Sequence, residues 1–136
     1  MSCRTEQRMS HVNRKKLDIV IKRAYENAIP EDGYRVLVDR IWPRGRSKAT
    51  LKLDQWARDL APSADLRKWF GHDPKRWEAF QQRDRSELDA EEKREQIRCL
   101  LSEANGRIIT LIYGAKDEEH NQAIVLRDVL SHLHEG

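Results

Sequence analysis

The segment RIITLIYGA, residues 107–115, constrains the fold of this chain more than any other stretch. Apolar side chains stand at successive positions, so both faces of an extended strand would be buried, which is typical of a central parallel strand. Two further apolar runs of strand length precede it, at about 17–23 and 35–41. We expect the second strand to end before Pro43, because proline cannot continue a central strand. We therefore expect a small, at least partly parallel sheet of about three strands.

Helical periodicity fills the chain between the second and third predicted strands. Apolar residues recur at helical spacing from about residue 49 to residue 105, beginning with Leu53, Trp56, Ala57 and Leu60. Ser63 and Asp73 each precede a helical pattern and are expected to cap it. Another apolar stripe, from about 118 to 134, predicts a C-terminal helix. The order of these elements predicts an α/β fold with a helical crossover of three to four helices and a C-terminal helix.

The length of 136 residues fits one α/β domain, which we expect to span residues 17–136. The formal net charge of +3 comes from the tail that precedes this domain. Residues 1–16 hold five cations against Glu6, while the rest of the chain is close to neutral. We expect the tail to be disordered, and basic arms of this kind bind phosphate backbones in some proteins.

The sequence argues against several classes of protein. No apolar run is long enough to span a bilayer, and no apolar segment near the N-terminus resembles a secretory signal. Cys3 and Cys99 are too few and too poorly placed for a disulfide framework or a zinc site. We therefore expect a cytoplasmic protein without a membrane partner. The sequence has no phosphate-binding loop, nucleophile elbow, dinucleotide fingerprint or spaced metal cluster, so it names no cofactor, metal or reaction.

Charged residues follow two of the predicted strands. Asp39 and Arg40 end the second strand, and the segment KDEEHN, residues 116–121, follows the third. The carboxyl ends of parallel strands meet at one edge of a sheet, and open α/β sheets bind their ligands there. We therefore expect these two segments, which are far apart in sequence, to form one site.

The loop WPRGRSK, residues 42–48, follows the second strand and concentrates cations without an acid. The guanidinium groups of Arg40 and Arg44 suit a phosphate or a carboxylate. Gly45 would let a backbone N–H approach such an anion, and Lys116 adds a cation from the other segment. The loop therefore predicts an anion-binding site.

Asp39, Asp117 and His120 are the candidates for general acid–base catalysis at this edge, because histidine titrates near neutral pH and a carboxylate can orient its ring. Structural roles are the alternatives. Asp117 can cap the last helix, and His120 can be an exposed residue of its first turn. Trp42 can stack on a ligand ring or fill a gap between elements.

Three segments carry a specific combination of motifs, namely GYRVLVDRIWPRG, LDQWARDLAPSADLRKWFGHDPKRWEAF and LIYGAKDEEHNQAIVL. Together they resemble the YeaO-like family, a branch of the bacterial proteins that contain domain of unknown function 488. The resemblance covers roughly residues 17–133 and implies a small cytoplasmic protein, but no particular activity. It also implies a set of motif residues, which are Asp39, Arg40, Trp42, Pro43, Arg44, Gly45, His72, Asp73, Lys116, Asp117, His120 and Asn121.

The resemblance also bears on covalent catalysis. It implies that members of the wider superfamily carry cysteines in the segment after the last strand, where this chain has Tyr113 and Asn121. We therefore do not expect a thiol nucleophile at this site.

Two functions are the main hypotheses from the sequence, and a third, an adaptor for another protein, would require an exposed apolar patch on the helical middle of the chain. The first is binding of a small phosphate- or carboxylate-bearing ligand, with or without acid–base catalysis by the three candidates above. Its expected ligand-binding residues are Arg40, Trp42, Arg44, Gly45, His72, Lys116 and Asn121. The alternative is a nucleic-acid-binding module that uses the basic tail and the loop at 42–48.

Overall fold

A computed structural model describes residues 18–135 of the chain. Its strands and helices, in chain order, are β1 (Ile19–Arg23), β2 (Tyr34–Leu37), α1 (Lys48–Leu51), β3 (Gln55–Trp56), α2 (Ala64–Phe70), α3 (Trp77–Leu88), α4 (Glu91–Ala104), β4 (Ile109–Tyr113) and α5 (Gln122–Glu135). The predicted basic tail, residues 1–16, lies outside the described residues. Within residues 18–135, no helix is both long and apolar enough to cross a membrane.

The four strands form one parallel sheet in the order β1, β4, β2, β3. The inner strand β4 is the apolar segment that opened the sequence analysis, and each of its five residues is buried. In the register, Ile109 lies opposite Ile19 of β1 and opposite Tyr34 of β2. The predicted α/β fold is therefore confirmed. Because all four strands run in one direction, their carboxyl ends meet at one edge of the sheet, which we call the carboxyl edge.

The short strand β3 is a fourth strand and corrects the prediction of a helix across residues 53–60. Helix α1 ends at Leu51, and Lys52 after it adopts a left-handed conformation with a φ of 47°. Beyond it the Ala57 N–H donates a hydrogen bond to the Leu37 carbonyl at 2.8 Å. Pairing with β2 overrides the helical spacing of the apolar residues, and it leaves Trp56 36% exposed.

The two faces of the sheet are covered differently. Helices α2, α3, α4 and α5 cover one face, where Val36 and Leu111 are fully buried among apolar side chains. The other face carries a smaller cluster, which includes Leu51 of α1 and against which Trp42 packs. The loop between β2 and α1 is therefore packed on the sheet at the carboxyl edge.

A buried ion-pair network links strands β1 and β2. The Asp32 carboxylate accepts hydrogen bonds from Lys22 at 3.0 Å, from Arg35 at 2.6 Å and from the Ile29 N–H at 3.0 Å. Burial raises the pKa of Asp32, but these donors outweigh burial and hold the pKa below its usual value. Because Lys22 lies in β1 and Arg35 in β2, the network holds the two strands on either side of β4.

The predicted caps at Ser63 and Asp73 are confirmed. The Ser63 hydroxyl accepts a hydrogen bond from the Leu66 N–H at 3.2 Å, and the Asp73 carboxylate accepts one from the Lys75 N–H at 3.0 Å. Glu87 of α3 in turn accepts hydrogen bonds from the Ser63 N–H at 2.8 Å and from its hydroxyl at 2.6 Å. The start of α2 is thereby fixed against α3, which positions α2 beside the carboxyl edge.

Asp84 of α3 is a buried carboxylate on the helical side of the sheet. Its side chain is 1% exposed, and its Oδ1 atom has no hydrogen-bond partner among the described residues. Burial raises the pKa of Asp84 to about 8, and the charge of Glu87 acts in the same direction, whereas Arg85 opposes it. The native state therefore holds a proton at this position under neutral conditions.

We expect Asp84 to make the free energy of unfolding fall as the pH rises from about 4 to about 8, because the unfolded chain has already released this proton. Its contribution to the slope should approach about 1.4 kcal/mol per pH unit. Asp84→Asn should flatten the slope in urea unfolding, whereas Asp65→Asn, at an exposed position of α2, should not. An unchanged slope in Asp84→Asn would contradict the assignment.

Candidate anion-binding site

Two adjoining cavities open at the carboxyl edge, and together we call them the cleft. Their volumes are about 350 Å³ and about 240 Å³. They share four lining residues, which are Pro62, Arg67, His72 and Gln122. Among the residues expected from the sequence, the larger cavity is lined by Asp39, Arg40, Trp42, Arg44 and His72. The smaller cavity is lined by His72, His120 and Asn121. Gly45, Lys116 and Asp117 line neither cavity.

Asp39 joins the end of β2 to the end of β4 in the wall of the larger cavity. Its Oδ2 atom accepts a hydrogen bond from the Gly114 N–H at 2.8 Å, and its Oδ1 atom accepts one from the Gln122 side-chain amide. Burial raises the pKa of Asp39 to about 6, although both hydrogen bonds and the charges of Arg67 and His72 favour the ionised form. The segments that follow these two strands therefore meet at one place.

Several cations of this edge hold loops in place. Arg40 donates hydrogen bonds to the carbonyl groups of Pro62 at 3.2 Å and Ala61 at 3.3 Å. Arg46 donates to the Ala24 carbonyl at 3.0 Å. Arg40 therefore ties the loop before α2 to the end of β2 while also lining the larger cavity.

Arg44 and Arg67 differ from Arg40 and Arg46, whose side chains hold loops in place. Neither side chain makes a hydrogen bond or ion pair with any residue that the structure describes, and both are exposed. The backbone of Arg44 is nevertheless held, since its carbonyl accepts a hydrogen bond from the Tyr25 hydroxyl at 3.0 Å. Arg67 is carried by α2 and lines both cavities. Two guanidinium groups are therefore available to an anion in the cleft.

Trp42 and Gly45 shape the loop between β2 and α1. The indole N–H of Trp42 donates to the Arg46 carbonyl at 2.6 Å, and its ring packs edge-on against Trp56 with centroids 5.3 Å apart. Gly45 has a φ of 79°, a left-handed conformation that favours glycine, and a Cβ there would have nothing within 4 Å. Trp42 therefore has the packing role that the sequence analysis considered. Gly45 provides the left-handed conformation that the turn of this loop requires.

His72 enters the cleft from an uncommon backbone conformation. Its φ is 59°, directly after Gly71, which ends α2 with a φ of 50°. A left-handed conformation costs a residue with a side chain about 1–2 kcal/mol. Lys52 and Asn105 adopt the same conformation at the ends of α1 and α4. The turn after α2 places His72 in the walls of both cavities.

Asp117 and His120 form a hydrogen-bonded pair in the turn before α5. The Asp117 Oδ2 atom lies 2.9 Å from His120 Nδ1, while Oδ1 accepts from the N–H groups of Glu119 at 2.9 Å and His120 at 3.1 Å. The Glu119 N–H and the His120 side chain hold the pKa of Asp117 below its usual value. The His120 ring also packs edge-on against Trp77 at 5.3 Å. The carboxylate therefore orients the imidazole beside the smaller cavity.

Asn121 caps helix α5. Its Oδ1 atom accepts hydrogen bonds from the N–H groups of Ala123 at 3.0 Å and Ile124 at 3.3 Å. Its side-chain amide donates to the Asp117 carbonyl at 2.9 Å. The capping role considered for Asp117 therefore belongs to Asn121, and Asp117 instead caps the turn that precedes the helix.

Sequence reasoning missed Arg67, Gly114 and Gln122, which all line the larger cavity. Arg67 occupies an exposed position of α2 and has no sequence signal that separates it from other surface arginines. Gln122 directly follows the KDEEHN segment, so including one more residue would have found it. At Gly114 a Cβ would lie 2.9 Å from the Asp39 carboxylate, a constraint that only the strand pairing reveals.

The fold and the cleft define the class of protein. It is a small parallel α/β protein with a polar cleft at the ends of β2 and β4. Residues 18–135 match the model of a family described as the inactive DUF488-N3 subclade, and the chain belongs to this family. The resemblance found in the sequence is thereby confirmed.

The similar proteins come from bacteria. The chain is 41% identical over 117 residues to the uncharacterised protein YeaO of Escherichia coli. This alignment covers 86% of this chain and 100% of the relative. It is 35% identical over 111 residues to the uncharacterised proteins Mb3100c of Mycobacterium bovis and Rv3073c of Mycobacterium tuberculosis. Each of these alignments covers 82% of this chain and 92% of the relative. No solved structure matches the chain significantly.

Gly114→Ala tests the contact between the two strand ends. The new methyl group should press on the Asp39 carboxylate and lower the free energy of unfolding by about 1–3 kcal/mol, the usual cost of overpacking. In an Asp39→Ala background the same change should cost less, because the colliding atom is gone. A double-mutant cycle by urea unfolding measures the difference. Equal costs in both backgrounds would contradict the contact.

Proposed function

We propose that the protein binds a small ligand with a phosphate or carboxylate group in the cleft. The observation that carries the proposal is the pair Arg44 and Arg67, whose guanidinium groups border the larger cavity and make no hydrogen bond or ion pair with the described residues. A guanidinium group binds either anion with two parallel hydrogen bonds. A cavity of about 350 Å³ also fits a small molecule.

The neighbouring groups support an anion at this position. His72 lines both cavities and can donate a hydrogen bond to an oxygen atom of the ligand. Arg40 adds positive charge to the wall of the larger cavity, although its donors are directed at carbonyl groups. The cleft is therefore bordered by cations from the β2–α1 loop and from α2.

We propose binding without turnover. The family is described as inactive. The Asp39 carboxylate already accepts two hydrogen bonds, and the Asp117 carboxylate accepts hydrogen bonds on both oxygen atoms, so both are engaged in holding the fold. Catalytic roles for Asp39, Asp117 and His120 stay predictions from the sequence.

Arg44→Ala and Arg67→Ala test the proposal, with inorganic phosphate as the probe in isothermal titration calorimetry. Each variant should weaken phosphate binding about tenfold or more, because a hydrogen bond to a charged group contributes about 1.5–3 kcal/mol. Thermal stability should stay close to that of the wild type, since both side chains are exposed.

Arg98→Ala is the matched control, because Arg98 is an exposed arginine of α4 that pairs with Glu95. It should bind phosphate as the wild type does. Wild-type affinity in Arg44→Ala and Arg67→Ala, or a loss of equal size in Arg98→Ala, would contradict a specific site in the cleft.

The nucleic-acid-binding alternative also stays a prediction. Its basic tail lies outside the described residues, and Trp42 packs against Trp56 with its N–H engaged. Binding of a single-stranded oligonucleotide that falls steeply with salt, and that is lost on deletion of residues 1–16, would favour this alternative over a small ligand.

A further inference from the structure

The polar groups in the wall of the larger cavity already hold an anion, which is the carboxylate of Asp39. The Gly114 N–H and the Gln122 amide both donate to it, and all three residues line that cavity. A backbone N–H beside a side-chain amide is an arrangement that binds oxyanions in many proteins. The absence of a Cβ at Gly114 permits the approach, since a Cβ would lie 2.9 Å from Asp39 Oδ2.

We propose that the Asp39 carboxylate occupies the position of a ligand oxyanion and acts as a built-in competitor that weakens anion binding at neutral pH. The inference rests on the proposed function, because it concerns the regulation of the same cleft. A second anion would lie next to Asp39 in a partly buried cavity, where like charges repel strongly. Removing the charge of Asp39 should therefore strengthen binding.

Several groups share the wall of the larger cavity with Asp39. They are Arg40 and Arg44 from its own loop, Tyr25 after β1, Arg67 of α2, His72 after α2, Gly114 after β4 and Gln122 of α5. Among them Arg67 and His72 favour the ionised carboxylate. Burial outweighs them and raises the pKa of Asp39 to about 6, so the carboxylate gains a proton as the pH falls through that value. The arginine residues keep their charge, and the cleft becomes more positive.

The same geometry predicts the direction of the pH effect. Anion affinity should rise as the pH falls from about 8 to about 5, because Asp39 loses its charge in this range. His72 lines the same cavity, so its contribution has to be separated from that of Asp39 by substitution.

Sulfate is the probe for the experiment, since it does not titrate in this pH range and any pH effect then belongs to the protein. Calorimetric titrations at about pH 5 and about pH 8 compare the wild type with Asp39→Asn and His72→Gln. We expect Asp39→Asn to bind sulfate at least tenfold more tightly than the wild type at the higher pH. We also expect its affinity to depend less on pH, while His72→Gln keeps most of the dependence.

Asp39→Ala provides a second variant in case Asn at this position impairs folding, and it should change affinity in the same direction. If the wild type binds sulfate and both Asp39 variants bind equally well or more weakly at the higher pH, the competitor role is overturned and the proposed function stands. If the wild type and both variants fail to bind sulfate at either pH, the proposed anion site is overturned together with the competitor role.

Discussion

The hydrogen bonds that Gly114 and Gln122 donate to the Asp39 carboxylate are the interaction on which the carboxyl edge depends. They connect the end of β2 to the end of β4 and to the start of α5, which lie 75 and 83 residues further along the chain. Burying a carboxylate is costly, and each hydrogen bond to it offsets about 1.5–3 kcal/mol of that cost. The edge can therefore hold a charge at a defined position only because these donors converge on it.

The cations at this edge have different roles. Arg40 and Arg46, which follow β2, donate to carbonyl groups of neighbouring loops, and Arg23 of β1 donates to the Ala115 carbonyl after β4. Arg44 and Arg67 do not take part in such hydrogen bonds, and they are exposed beside the larger cavity. The candidate site therefore includes fewer cations of the basic loop than the sequence predicted, and it also includes Arg67 of α2.

Much of the fold could be predicted from the sequence, because the signals were local or followed from topology. The apolar strand β4 and the caps at Ser63 and Asp73 depend on neighbouring residues, and the meeting of the ends of β2 and β4 at one edge follows from parallel pairing. Strand β3 was missed, since its two residues form by pairing with β2 against a helical pattern.

The same distinction applies to the candidate site. Asp39 and Arg44 were predicted because they follow a strand whose end could be located. Arg67 reaches the cleft only through the packing of α2, which the caps and the bond from Ser63 to Glu87 determine. The left-handed conformation of His72 belongs to the turn that follows α2. Properties that depend on how helices pack against the sheet could not be predicted from spacing alone.

If the exposed cations of the cleft form one anion site together with the ends of β2 and β4, inorganic phosphate should bind there. A ¹H–¹⁵N NMR titration of the full chain with phosphate measures this binding residue by residue. We predict saturable shifts at the Gly114 amide and at the Nε–H groups of Arg44 and Arg67, and no saturable shift at the Nε–H of Arg98 on α4. Shifts of equal size at all exposed arginines, or no saturable shift at Gly114, would contradict this prediction.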